Sequence, residues 1–196
     1  PSLVGYERKE EGRIAVVVCP GGAYAALIGS RSTVRRLNRK GIAAYMLNYR
    51  IAPCNMLAPL TDAQRAIRVV RAMGYDYVGI LGFSAGGHLA CTAATHWAEE
   101  DPEAEDPTDR QSCRPDFFVA CYPVVSFWKY PKQRSTKNLL GSYIDDEYWR
   151  KFFSADLNVT ADTPPGYIWH CAGDQVVSSQ QSILMARAMD KAGVTY

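Results

Sequence analysis

The chain has 196 residues, 47% of them hydrophobic, with four Trp and twelve Tyr, enough to bury a sizeable core. Its 22 basic and 20 acidic residues leave a formal charge of +2 and are dispersed, so neither a nucleic acid nor an anionic membrane is implied as a partner. No apolar stretch nears the roughly 18 residues of a membrane span, and no signal peptide precedes the first strand. The six cysteines form no C-x-x-C pair and read as reduced thiols, which points to the cytoplasm, with a removed leader left open by Pro1 at the start.

Apolar runs alternate with helical patterns at intervals suited to βα units. This predicts an α/β chain with a mostly parallel sheet covered by helices on both faces, in one domain over residues 1–196. The first strand is expected over Ile14–Cys19 and runs into the glycine-rich turn Pro20-Gly21-Gly22-Ala23-Tyr24. A second is expected over Ile42–Leu47. Leu60, Ala63, Ile67, Val70 and Met73 then recur at helical spacing, with Asp62 in the first turn and Gly74 closing the helix.

The third strand, Tyr77–Leu81, delivers the chain into Gly82-Phe83-Ser84-Ala85-Gly86. G-x-S-x-G after an apolar run reads as a nucleophile elbow: a strained turn lifts one serine hydroxyl above the sheet, and small residues let a helix leave at once. The alternative is a structural turn with an ordinary serine. A helix is expected from Ser84 to about Trp97. Glu99–Asp109, with seven acidic residues and two prolines, reads as a solvated loop without a binding role. A strand over Phe117–Tyr122 follows. Residues 126–165 are irregular and aromatic, and form either a small cap lining a cleft or a surface helix whose aromatics pack onto the sheet. A fifth strand, Tyr167–Cys171, leads to Gly173-Asp174, and Ser179–Lys191 reads as a last helix ending at Gly193.

A serine hydroxyl becomes a nucleophile only where a base takes its proton and donors receive the oxyanion. The Gly22, Ala23 and Ala85 N–H groups are the candidate donors, the first two on the glycine-rich turn that follows the first strand. Asp174 follows Ser84 by 90 residues, matching the chain order nucleophile, acid, histidine. Read alone, the glycine turn could be structural and the aspartate a plain cap.

Taken in order, PGGAY, LNYRIAP, GFSAGGHLA, YPVVS and AGDQVV resemble the α/β-hydrolase esterases and lipases of the hormone-sensitive-lipase-like group, closest to the acetyl xylan and feruloyl esterase branch. The resemblance runs from about Val16 to the last residue. It implies that fold, serine-esterase chemistry without cofactor or metal, and the roles assigned above to Ser84, Asp174 and the oxyanion amides. Three positions depart from the family pattern. Ala23 stands where a third glycine is usual, tolerable only if φ there suits a Cβ. Val177 replaces a proline common after the acid, which is expected to affect only turn rigidity.

The third departure is the histidine, which in this fold follows the acid, whereas His88, His96 and His170 all precede Asp174. His88 and His96 read as packed helix residues and His170 as a satisfied core residue. The final strand and histidine loop are therefore expected to be absent, leaving a chain truncated at its C-terminus, impaired in turnover and prone to self-association through an unpaired edge. The function expected is a serine carboxylic-ester hydrolase for small acyl esters, including acetylated or feruloylated carbohydrates. A peptidase of the same fold and a non-catalytic ligand-binding relative remain as alternatives.

Overall fold

A computed structural model describes residues 1–5, 13–131 and 133–196. The five anticipated strands form β2 (Ile14–Cys19), β3 (Ala43–Asn48), β4 (Tyr77–Phe83), β5 (Phe117–Cys121) and β6 (Gly166–Trp169), joined by β1 (Ser2–Gly5). Among the described residues they make one sheet in the order β1-β3-β2-β4-β5-β6, parallel throughout except where β1 runs antiparallel to β3. Every neighbouring parallel pair is joined through a crossover, so both faces need cover.

The cover comes from α1 (Arg31–Arg39) on one face, and from α2 (Ala58–Ala72), α3 (Ala85–Thr95) and α6 (Gln180–Ala192) on the other. Alternation along the strands splits the core accordingly. Ala15, Val17, Ile80, Phe118 and Ala120 face α2, α3 and α6, while Val16, Val18, Ala44 and Met46 face Val34 of α1. Helical periodicity is not legible in α1, because only Val34 is fully buried in a segment otherwise rich in arginine. Among the described residues no helix is long and apolar enough to cross a membrane.

Several boundaries move. The fifth expected strand ends at Trp169, leaving His170 and Cys171 in the following turn. Asp62 is not in the first turn of α2, which opens at Ala58 with Pro59 near its start. Buried to 3% exposure, its carboxylate instead accepts the Arg50 backbone N–H at 2.8 Å and the Arg50 guanidinium at 2.6 Å, fixing the chain just beyond β3. Gly74, at φ +88°, does close that helix. The acidic segment from Glu99 is irregular, and Asp106 and Asp109 pair with Arg65 and Arg68 of α2.

Residues 126–165 contain α4 (Arg134–Leu140) and α5 (Glu147–Phe152). Their aromatic residues divide. Phe127 and Phe153 are sealed in the main core against α3, whereas Tyr143 and Tyr148 face outward.

Candidate active site

β4 enters α3 through Ser84, whose backbone sits at φ 53° and ψ −116°. For a residue with a Cβ this costs on the order of 1–3 kcal/mol and survives only where the surroundings fix it. Here the Ser84 N–H donates to the Cys121 carbonyl at 3.0 Å, and the Ser84 carbonyl accepts from His88 at 2.9 Å and Val124 at 3.3 Å. The flanking glycines are required by space. A Cβ on Gly82 would lie 1.9 Å from the Gly86 carbonyl oxygen, and one on Gly86 would lie 2.2 Å from that of Cys19 and 2.4 Å from that of Pro20. The helix thus starts in contact with the end of β2. Ser84 is partly exposed.

The loop after β2 lies against this elbow: a Cβ on Gly21 would meet Ser84 Cβ at 3.4 Å. Gly22 takes φ 127°, and Ala23 and Tyr24 follow at 54° and 59°. Ala23 therefore occupies the left-handed region that favours glycine, at a strain of about 1–2 kcal/mol. The loop's carbonyls are engaged in turn. Gly21 accepts from Ile28 at 2.9 Å, and Gly22 accepts from Ala25 at 3.0 Å and Ala26 at 3.1 Å. A trans peptide holds its C=O and N–H on opposite sides, so these bonds turn the Gly22 and Ala23 N–H groups away from the loop interior. Both N–H groups, and that of Ala85 in the first turn of α3, have no partner among the described residues. Three free amides around a turn that presents a serine hydroxyl are an arrangement able to receive an oxyanion.

Asp174 closes the turn after β6. Its Oδ1 accepts from the Val176 and Val177 N–H groups at 2.8 and 2.9 Å, and these bonds, Val177 first, hold the carboxyl below the usual carboxylate range. The Val177 bond revises the expectation for that position, since a proline there would have no N–H to give. Valine changes the hydrogen bonding of the acid as well as the stiffness of its turn. Ser84, the Gly22–Ala23 loop and Asp174 lie beyond the carboxyl ends of β4, β2 and β6, on one edge of the sheet. Two strand spacings, about 10 Å, separate the ends of β4 and β6, a gap an imidazole and its two hydrogen bonds can span.

The three histidines do not fill that gap. His88 is fully buried and stacked on Phe127 at 4.2 Å. Its Nδ1 accepts from the Tyr24 hydroxyl at 2.6 Å, its Nε2–H donates to the Phe153 carbonyl at 2.8 Å, and burial lowers its pKa to about 4. His96, at the end of α3, packs on Phe152, and burial lowers its pKa too. His170 lies closest to the acid, with Nε2 3.5 Å from Asp174 Oδ2, but both ring nitrogens are taken, Nδ1 by the Ser182 hydroxyl at 2.7 Å and Nε2 by the Val177 carbonyl at 2.8 Å. It braces the acid turn against α6.

Some residues that shape the site had no legible role in the sequence: Tyr24 and Tyr49, whose hydroxyls tie the loop to His88 and to the Pro20 carbonyl, and Asn138, whose amide donates to the Ala23 carbonyl at 2.7 Å. Their partners lie 29 to 115 residues away in the chain, so no local pattern joins them.

The family model BD-FAE matches residues 6–189. The chain is similar to endo-1,4-beta-xylanase B of Butyrivibrio fibrisolvens, with 32% identity over 96% of the chain and 32% of that protein. To the acetylxylan esterase of Xylanibacter ruminicola it has 30% identity, over 83% of the chain and 34% of the relative. It thus spans about a third of the length of these curated relatives. A solved structure, the acetyl ester-xyloside bifunctional hydrolase of Caldicellulosiruptor lactoaceticus, superposes with a TM-score of 0.92 at 39% identity, over 98% of this chain and 74% of that one.

Proposed function

Because this chain belongs to the BD-FAE family, we propose that it forms the core of a carboxylic-ester hydrolase working through an acyl-serine intermediate on small acyl esters, acetylated xylan foremost. The observation that carries this reading is the set of three unpartnered N–H groups, of Gly22, Ala23 and Ala85, around the strained turn that presents Ser84. The relatives named for acetyl ester and acetylxylan cleavage support the acyl group, and feruloylated carbohydrate belongs to the same substrate class.

In the proposed reaction Ser84 Oγ bonds to the ester carbonyl carbon while its proton passes to an imidazole. The carbonyl oxygen becomes an oxyanion held by the Gly22, Ala23 and Ala85 amides. Collapse breaks the carbon–alkoxide bond, the imidazolium protonates the leaving alcohol, and water then repeats the sequence to release the acid. Asp174 orients the imidazole through Oδ2, since Oδ1 is committed to its own turn. The base is a histidine other than His88, His96 and His170, because the first has both nitrogens engaged inside the core, the second packs at the far end of α3, and the third is held by Ser182 and Val177. The segment from 126 to 165 reaches the oxyanion loop through Asn138.

The test is hydrolysis of p-nitrophenyl acetate by the 196-residue chain, its Ser84→Ala variant and a version extended with a family-type strand and histidine loop. Turnover that rises on extension and vanishes with Ser84→Ala is expected. Strong Ser84-dependent turnover in the short chain would overturn the assignment of the base, and turnover that survives Ser84→Ala would overturn the nucleophile. Running an aminoacyl amide in parallel separates an esterase from a peptidase of the same fold.

A further inference from the structure

Ala23 and Tyr24 both stand at positive φ, 54° and 59°, which two residues with a Cβ adopt together only under constraint. The constraints come from distant parts of the chain. The Tyr24 carbonyl accepts from the Ala52 N–H at 2.8 Å, which fixes the far side of the turn. Asn138 Nδ2, on α4, donates to the Ala23 carbonyl at 2.7 Å. The Tyr24 ring is 1% exposed, and its hydroxyl donates to His88 Nδ1 at 2.6 Å, while His88 Nε2–H is anchored at 2.8 Å on the Phe153 carbonyl just past α5. Two of the three ties therefore lead into residues 126–165. The Asn138 bond fixes the Ala23–Tyr24 peptide plane, set by ψ of Ala23 and φ of Tyr24, and that plane shares the Ala23 Cα with the one carrying the Ala23 N–H, so the two are coupled through the few φ/ψ pairs a residue with a Cβ can adopt there.

We propose that Asn138 and His88 are positioning residues for acyl transfer, holding Ala23 and Tyr24 in the conformation that keeps the Gly22 and Ala23 N–H groups available to an oxyanion. The inference rests on the ester-hydrolase reading above. It gives the aromatic segment a role in the site, since its packing on His88 and its Asn138 amide set the geometry of the loop. It also explains a polar histidine sealed among Phe127 and Phe153: a leucine or phenylalanine there would leave the buried Tyr24 hydroxyl without an acceptor.

The experiment uses the ¹⁵N-labelled 196-residue chain and phenylboronic acid. Boron bonds to Ser84 Oγ, the serine proton leaves to solvent, and the four-coordinate anionic boronate stands in for the tetrahedral oxyanion. The Gly22 and Ala23 amide protons are expected to move downfield as the adduct forms. In Asn138→Asp and Asn138→Ala, and in His88→Gln, those shifts shrink and the dissociation constant rises about tenfold. The Asn138 variants, at a half-buried position, are expected to keep their thermal midpoints within about 4 °C of the parent, which separates positioning from loss of fold. Adduct formation with unchanged shifts and affinity in the Asn138 variants would overturn the inference alone. Failure of the parent chain to form the adduct, or an adduct that persists in Ser84→Ala, would instead overturn the nucleophile reading beneath it.

Discussion

Acidification should destabilise this fold through its buried histidines, His88 above all. His88 is fully enclosed, and burial lowers its pKa from 6.5 to about 4, the Phe153 carbonyl opposing the shift without cancelling it. The folded chain therefore keeps the imidazole neutral where the unfolded chain takes up a proton. Stability contributed by His88 is full above about pH 6.5, falls by about 1.4 kcal/mol per pH unit as pH drops, and levels off near pH 4. Across the window the loss is about 3 kcal/mol, a large share of what a domain of this size has to spare. The assay is urea unfolding of the parent chain and of His88→Gln at a series of values from about pH 7.5 to about pH 5, above the range where the carboxylates protonate. His96, also lowered by burial, titrates in both chains, so the difference carries only its weak coupling to His88. The parent should lose about 2 kcal/mol more than His88→Gln over that range. Parallel pH profiles would refute the reasoning, because they would mean that the folded imidazole protonates as readily as the unfolded one. Below the folded pKa, protonation turns Nδ1 into a donor and removes the acceptor of the Tyr24 hydroxyl.

Other substitutions probe the remaining parts. Gly86→Ala places a Cβ 2.2 Å from a backbone oxygen of β2 and should cost about 3 kcal/mol or prevent folding, whereas Gly173→Ala, with nothing within 4 Å, should stay within about 0.5 kcal/mol by chemical denaturation. Val177→Pro removes an N–H from Asp174 Oδ1, so the Asp174 carboxyl should titrate closer to an ordinary aspartate in a ¹³C-detected NMR titration; an unmoved pKa would show that the Val177 bond does not matter. Asp174→Asn keeps an oxygen for the two turn amides, so stability should change little while p-nitrophenyl acetate turnover in the extended version falls by about 10⁴. Arg50→Met should lower the urea midpoint more than Asp62→Asn, because it strands a carboxylate that is 3% exposed, while the reverse change frees a half-exposed guanidinium that water can take over.

The strands are legible because they are short runs of apolar and β-branched residues between turn formers, and five of the six among the described residues match the sequence reading to within a few residues. β1 is not legible, because four residues at the edge of a sheet carry too little pattern, and neither is α1, because one buried valine among arginines makes no stripe. The elbow was legible for a different reason: Gly82, Ser84 and Gly86 sit where strand and helix must pass within van der Waals contact, a constraint written in adjacent residues. The Val177 substitution was visible in the sequence, but its consequence was not. Only the turn geometry makes its N–H a donor to Asp174.

The sequence by itself determined the alternation of strands and helices, the strained turn at Ser84 and the glycine-rich loop ahead of it, all of which depend on neighbours in the chain. Only the tertiary structure decided which backbone amides stay unpaired, what holds Ala23 and Tyr24 at positive φ, and where each histidine points. Those depend on hydrogen bonds such as Tyr24 to His88 and Asn138 to Ala23, which join residues 64 and 115 positions apart. A hydrogen bond is satisfied by distance and angle in space, and nothing in local spacing records which distant group will arrive to make it.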